Sequence, residues 1–262
     1  MLKGYTKQEI SWMMYDWANS AHSVIIVTLL PIFFDTVAGY TADSVSSMST
    51  WGYATSIAML IVALAAPFLG VFGDIRGMRK KLFSFFMLLG VAACAGMAFT
   101  PGMDFTSGPV AAGKVASLIL VLYIVSVIGF DASAIYYDAF LTDVTTEERM
   151  DKVSTMGYGL GYIGGSTIPL LIFLIMNLVG VPMLTCLAFV FGLTAVWWLA
   201  FSLPLLKNCE QTSGKPYEKG DVARSMKGVG TTIKEIIANK PMLIYILSYF
   251  FYIDGVHTVI NM

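Results

Sequence analysis

Apolar positions in this chain neither alternate nor mark a single helical face; they run on without interruption. Seven stretches are long enough, at about 1.5 Å per residue, to cross a hydrocarbon layer roughly 30 Å thick as helices. They fall near 12–36, 51–73, 82–100, 114–140, 154–178, 182–206 and 241–262. Short segments with turn chemistry separate them: Pro101-Gly102 closes the third stretch, and Gly180-Val181-Pro182 turns tightly between the fifth and sixth. Thr6-Lys7-Gln8-Glu9 has the S/T-x-x-E form of a capping box, so the first helix is expected to begin ahead of its apolar part. One long polar segment, 207–240, breaks the series. Within it Val222, Met226, Val229, Ile233, Ile236 and Ile237 recur at helical spacing, with Arg224, Lys227 and Lys234 elsewhere around the turn. That predicts an amphipathic helix on the membrane face; Gly228 and Gly230 keep a disordered linker open as the alternative. The resulting domain reading is a six-helix bundle over 1–206, a linker over 207–240 and a seventh span over 241–262.

The basic residues orient this array. Lys3 and Lys7 precede the first span; Arg76, Arg79, Lys80 and Lys81 follow the second; Arg149 and Lys152 follow the fourth; seven more lie in 207–240. Of the 16 Lys and Arg, only Lys114 falls on the other side. Basic loops are retained in the cytoplasm, so the N-terminus is expected there, and the span count passes a test independent of hydropathy. Composition agrees: 57% of residues are hydrophobic, 13% charged, and the mean hydropathy is +0.74. Soluble domains carry about 25% charge. The expected surroundings are a lipid bilayer, with no nucleic-acid partner. No cleavable signal peptide is expected, because a polar stretch precedes the first apolar run and more spans follow at once. Cys94, Cys186 and Cys209 form no C-x-x-C or Cys/His cluster, so they read as small buried thiols, with no metal site.

Both histidines lie inside apolar spans. Aligned at an offset of 235, Trp17-Ala18-Asn19-Ser20-Ala21-His22-Ser23-Val24-Ile25 sits over Tyr252-Ile253-Asp254-Gly255-Val256-His257-Thr258-Val259-Ile260. The seventh span therefore reads as a second copy of the first. Six helices, a linker and the first helix again describe two parallel repeats of six; chance similarity between apolar helices is the competing account. On the repeat reading the chain is expected to be the first part of a longer protein, whose second bundle is required for function and continues past Met262.

Ionisable groups at bilayer depth cost about 2.5–3.5 kcal/mol on insertion scales and usually face an interior or a water cavity. Asn19 and His22 are three apart on the first span, beside Ser23; Asp131 and Asp138 are seven apart on the fourth, hence on one face; Asp254 and His257 repeat the first pattern. Asn19, His22, Asp131, Asp254 and His257 are the candidate solute and proton pathway, and Asp138, nearer the cytoplasmic mouth, the candidate gate. An unperturbed imidazole titrates near pH 6.5, which makes protons a candidate coupling ion. The other reading gives these groups interhelical hydrogen bonds and a packing role. Asp16 reads equally as an interfacial residue near a helix start. Gly159-x-Gly161-x-x-Gly164 spells a dinucleotide fingerprint, but no strand precedes it, so no cofactor is expected. Gly157, Gly161 and Gly165, spaced by four, instead allow close helix approach.

The turn after the second span reads Gly70-Val71-Phe72-Gly73-Asp74-Ile75-Arg76-Gly77-Met78-Arg79-Lys80-Lys81. It resembles the G-x-x-x-D-R-x-G-R-R signature of the major facilitator superfamily at the same place. Gly70, Asp74 and Gly77 match in spacing, Ile75 stands where that family has Arg, and the basic residues, Arg79 among them, come slightly late. Tyr15-Asp16-Trp17-Ala18-Asn19-Ser20-Ala21 resembles the first-helix signature of the vacuole-effluxer-like (autophagy-related) branch. Ala139 to Asp143, Glu148-Arg149 and the glycines from Gly157 to Gly165 resemble its four-to-five segment. The resemblance implies an all-α transmembrane fold: the six-helix N-terminal bundle of a major facilitator protein plus the first helix of the second bundle. It further implies twelve helices in all, alternating access, a small-molecule solute (amino-acid efflux, as in the branch's name-giving members), and a latch at Gly70, Asp74, Gly77 and Arg79. The fourth span has no Arg and Tyr162 follows Gly161 in place of Pro, so proton coupling and direction do not carry over. A secondary transporter is the expected function, in the cell membrane or, in a eukaryote, the vacuolar one. A sugar:cation symporter of the same fold and a non-transporting receptor or scaffold are the alternatives. No D-D-x-x-D, H-E-x-x-H or Ser/His/Asp set points to an enzyme.

Overall fold

A computed structural model describes residues 4–41, 47–214, 216 and 220–261; the side chains of 221–226, 232, 254 and 256–261 lie outside the described part. The chain divides into two compact units, Met1–Lys215 and Pro216–Met262.

Among the described residues, the first unit has six long helices. They are α1 (Lys7–Ala38), α2 (Ser47–Gly73), α3 (Arg79–Met97), α4 (Pro109–Val144), α5 (Glu147–Leu178) and α6 (Met183–Asn208). Each belongs to a span long and apolar enough to cross a membrane. Helices α1 to α5 begin ahead of their apolar stretches, and α1 does so from a capped start. In α1 the Thr6 side chain accepts from Glu9 N at 3.1 Å while Glu9 Oε2 accepts from Thr6 N at 2.7 Å, the reciprocal capping box. Helix α4 opens with Pro109 in its first turn, where a missing N–H costs nothing. Gly180, at φ 84°, makes the turn from α5 to α6.

Helix α1 is the centre: it packs on α2, α4, α5 and α6, while α3 packs on α4 and α6, and α2 on α4. In its most apolar stretch 56% of α1 is buried, against 17% of α2. Lipid tails are as apolar as leucine, so helices here associate through fit and interhelical hydrogen bonds. Trp12 stacks on Tyr137 at 4.3 Å and donates Nε1–H to the Tyr137 carbonyl at 2.9 Å. Trp198 donates to the Tyr15 hydroxyl at 3.3 Å, which lies 2.8 Å from Ser133 Oγ, so one polar thread joins α6, α1 and α4. Trp197 Nε1–H donates to the Trp17 carbonyl at 2.9 Å. Large apolar side chains point outward in number, Leu64 at 65% and Val196 at 65% among them. In water such a surface would aggregate; against acyl chains it is the solvated face.

Helix α5 is not uniform. It runs as a 3-10 turn, Glu147–Arg149, then α-helix Met150–Leu160, a π-helical turn Gly161–Ser166, and α-helix Thr167–Leu178. Its glycines seat it on α1. A Cβ on Gly157 would fall 2.5 Å from Asp16 Oδ2, and one on Gly161 2.5 Å from Ser20 Oγ; Gly164 meets the Trp17 ring and Gly165 the Trp17 carbonyl. The spacing by four read from the sequence is thus a helix-packing seam, and α1 is its partner.

The second unit holds α7 (Asp221–Ala238) and α8 (Lys240–Asn261). Their axes, over Lys227–Ala238 and Lys240–Ile253, meet at 99°. Asn239 sits at the corner, its Oδ1 accepting from Met242 N at 3.3 Å.

Candidate functional site

The end of the first unit that carries Arg76, Arg79, Lys80 and Lys81 is tied together by charge. Arg79 opens α3 and is buried (4% exposed). Its Nη1 pairs with the Asp143 carboxylate at the end of α4 and donates to Ala139 O at 3.0 Å and Ser213 Oγ at 3.2 Å; its guanidinium lies 5.8 Å over the Phe140 ring. Asp143 Oδ1 also accepts from Thr212 N (3.0 Å), Thr212 Oγ1 (2.9 Å), Ser213 N (2.9 Å) and Ser213 Oγ (2.7 Å). Gln211 completes the tie: its Oε1 accepts from Gly77 N at 2.9 Å and Arg79 N at 3.3 Å, and its Nε2 donates to Gly73 O at 3.0 Å. The segment after α6 is therefore a strap knotting the α2–α3 turn to the end of α4. A buried guanidinium needs this many acceptors, since an uncompensated buried charge is strongly destabilising. Cys209, where the strap leaves α6, is fully buried; burial pushes its thiol up to about 12, so it stays protonated and unreactive at neutral pH.

The gate candidates distribute unevenly over this structure. Arg79 is its hub. Gly77 takes φ 79°, a left-handed turn that lets its N–H reach Gln211. Asp74 is open to solvent (side chain 82% exposed) and stands 3.8 Å from Arg79. A Cβ at Gly70 would meet no neighbour within 4 Å, so within the described residues no helix presses on it. Asp138, one turn before the knot, is exposed.

A second charged tie lies on the same end. Glu9 is buried (1% exposed), and its carboxylate, besides closing the capping box, accepts from Arg149 Nε at 2.8 Å, Arg149 Nη2 at 2.9 Å and Thr145 Oγ1 at 2.7 Å. The start of α1 is thereby fixed to the α4–α5 turn.

Of the pathway candidates, Asn19 and His22 face the interior (9% and 3% exposed). The His22 ring stacks on Phe130 at 4.8 Å, leans on Trp198 at 5.1 Å, and sets Nε2 3.3 Å from Ser126 Oγ; its Nδ1 is buried with no hydrogen-bond partner among the described residues. Asp131 follows Phe130 on α4 and is half-buried. The structure thus brings His22 against the α4 turn that carries Asp131. Asp254 and His257 lie on α8, in the other unit, with side chains outside the described residues.

Sequence reasoning set Arg79 in a latch with Asp74, but did not pair it with Asp143 or the 211–213 strap. Asp143 appears there only within a family motif, and Gln211, Thr212 and Ser213 read as ordinary linker. The partners sit 64 and 134 residues from Arg79, and no local spacing reports a pairing of that reach.

A polytopic all-α bundle with a Gly/Asp/Gly turn and a buried Arg–Asp knot between its second, third and fourth helices is of the major facilitator class. The chain belongs to the family described as vacuole effluxer Atg22-like, whose model matches residues 39–149 and 142–262. Across all of its length it is 40% identical to the uncharacterized MFS-type transporter YxiO of Bacillus subtilis (strain 168). It is 27% identical, over 41% of its length, to autophagy-related protein 22-1 of Penicillium rubens (strain ATCC 28089 / DSM 1075 / NRRL 1951 / Wisconsin 54-1255). The chain spans 60% of the first relative's length, and its match covers 20% of the second's. It is an integral multi-pass membrane protein, of a family that transports rather than catalyses.

Proposed function

We propose that this chain supplies the first bundle of a secondary active transporter, which moves a small polar solute across the membrane by alternating access. The observation that carries the reading is the knot of Arg79, Asp143 and the 211–213 strap. In a family of membrane transporters, a charged clamp at one end of a bundle is what a rocking half needs to stay rigid while the other end opens. With the positive-inside rule, that end and the N-terminus are cytoplasmic, and Gly70, Asp74, Gly77, Arg79 and Asp138 form the cytoplasmic gate.

Asp131 is the pathway residue we favour, because this bundle leaves it half-open at bilayer depth. His22 and Asn19 support that wall from behind, His22 by holding the Phe130 turn; Asp254 and His257 are the matching positions of the second bundle. Amino acids are the substrate class suggested by the family, exported in the direction its name describes, and Asp131 is the group we assign to proton coupling. The test is counterflow of radiolabelled amino acids in proteoliposomes, with and without a pH gradient, using the protein at the length of its bacterial relative. Transport should be lost in Asp131→Asn at unchanged expression and survive in His22→Gln. Binding without counterflow would overturn transport in favour of a receptor, and full activity in Asp131→Asn would overturn the pathway.

A further inference from the structure

Two clefts open at the basic end of the first unit. One, of about 400 Å³, is lined by Lys7, Gln8, Asp143, Val144, Lys207, Asn208, Glu210 and Thr212, two lysines against two carboxylates. The other, of about 530 Å³, lies where the start of α3 meets the end of α6 and is lined by Gly77, Lys80, Lys81, Ser84, Leu206, Glu210 and Gln211. It has two lysines against one carboxylate, and among the described residues neither lysine is in an ion pair. Of its other polar side chains, Glu210 is the one carboxylate, and Ser84 and Gln211 are engaged elsewhere. Ser84 donates to Lys80 O at 2.7 Å, and Gln211 is committed to Gly73, Gly77 and Arg79. The two ammonium groups are left as donors.

Beneath this cleft the wall turns apolar. Phe85 and Leu88 continue the Lys81 face of α3, and Leu203 and Leu199 continue the Leu206 face of α6. All four are exposed, and the two helices pack together. A cationic notch at the end of a span, opening onto a two-helix apolar trough, has the chemistry of a phospholipid site: phosphate above, acyl chains below.

We propose that Lys80 and Lys81 hold the headgroup of an anionic phospholipid, its chains lying along the α3–α6 trough. The lysines select for charge. Each basic residue near an anionic membrane surface favours it by roughly fivefold, so the pair should give roughly 25-fold preference over a zwitterionic lipid. The trough selects for a lipid over a soluble phosphate. This site stands apart from the transport pathway and does not depend on the transport reading.

Native mass spectrometry of the purified protein, titrated with phosphatidylglycerol or phosphatidylcholine, tests it. One phosphatidylglycerol should be retained with roughly 25-fold preference. K80Q/K81Q should abolish that preference and K80R/K81R should keep it. K227Q/K234Q, which removes the same charge from α7, should leave it unchanged, and glycerol 3-phosphate should not displace the lipid. Retention in K80Q/K81Q, or equal loss in K227Q/K234Q, would overturn the site. Displacement by glycerol 3-phosphate would make it a free-anion notch and overturn the lipid assignment.

Discussion

The two ends of the six-helix bundle are held by different forces. At the basic end, all three ion pairs among the described residues gather around Arg79 and Arg149. Two of them join segments that lie 64 and 140 residues apart in the chain, and the third sets Asp74 beside Arg79 within one turn. At the opposite end the polar contacts among the described residues are local. Asp104 accepts from the backbone of Thr106 and Ser107 at 3.1 Å each, Asp35 takes the Ser47 hydroxyl at 2.5 Å, and Phe105 tucks under Phe33 and Tyr40. One end is clamped across the fold and the other merely finished off. A bundle of this kind is stiff where charges knot it and free to splay where only turns and apolar contacts hold it.

The largest test of this contrast is the knot itself. Arg79→Gln leaves the Asp143 carboxylate, whose side chain is fully buried, without its cation. The expected cost is about 3–5 kcal/mol, read as a lower melting temperature in detergent. Cys209 should become alkylatable as the strap loosens. The double variant with Asp143→Asn should recover part of the loss; simple additivity of the two costs would break the idea of a coupled lock. Next in size is Glu9→Gln, which weakens a two-point carboxylate–guanidinium contact and should cost about 2 kcal/mol, with faster proteolysis at the α4–α5 turn. Smallest is Asp104→Ala at the far end, where no change in melting temperature is expected. The Ser107 side chain and the backbone N–H of Ser107 and Thr106 hold the Asp104 carboxyl below its usual value. Whatever it contributes is therefore present at neutral pH and is lost only as pH falls through that lowered value. A melting temperature that drops as far in Asp104→Ala as in Arg79→Gln would erase the contrast between the ends.

How much of this was legible in the residues depended on distance along the chain. Spans and turns were readable because apolar runs and Gly180 are local signals. The Thr6/Glu9 box was readable because its members are three residues apart. That Glu9 also binds Arg149 was not, since a capping glutamate looks the same whether or not an arginine 140 residues away shares it. The glycine spacing announced a close helix contact, but neither its partner α1 nor the change of helix type within it. His22 shows the limit most plainly. A histidine in an apolar span reads equally as a polar lining group or as an interhelical packing one, while its stacking on Phe130 depends on how α1 and α4 rotate against each other.

The π turn in α5 has a geometrical consequence. Val153, Gly157, Gly161, Gly165, Pro169 and Phe173 are all buried and follow one another at intervals of four residues. On an ordinary helix each such interval overshoots the 3.6-residue turn by about 40°, so the row would wind away from α1 within a few steps. The wider turn at Gly161–Ser166 absorbs about one surplus residue, or roughly 100° of rotation, and keeps the row aimed inward. Deleting a single residue there would remove the surplus and leave Pro169 and Phe173 facing inward, whereas forcing the turn into ordinary α-helix at full length would swing everything beyond it by about that angle, out toward the acyl chains.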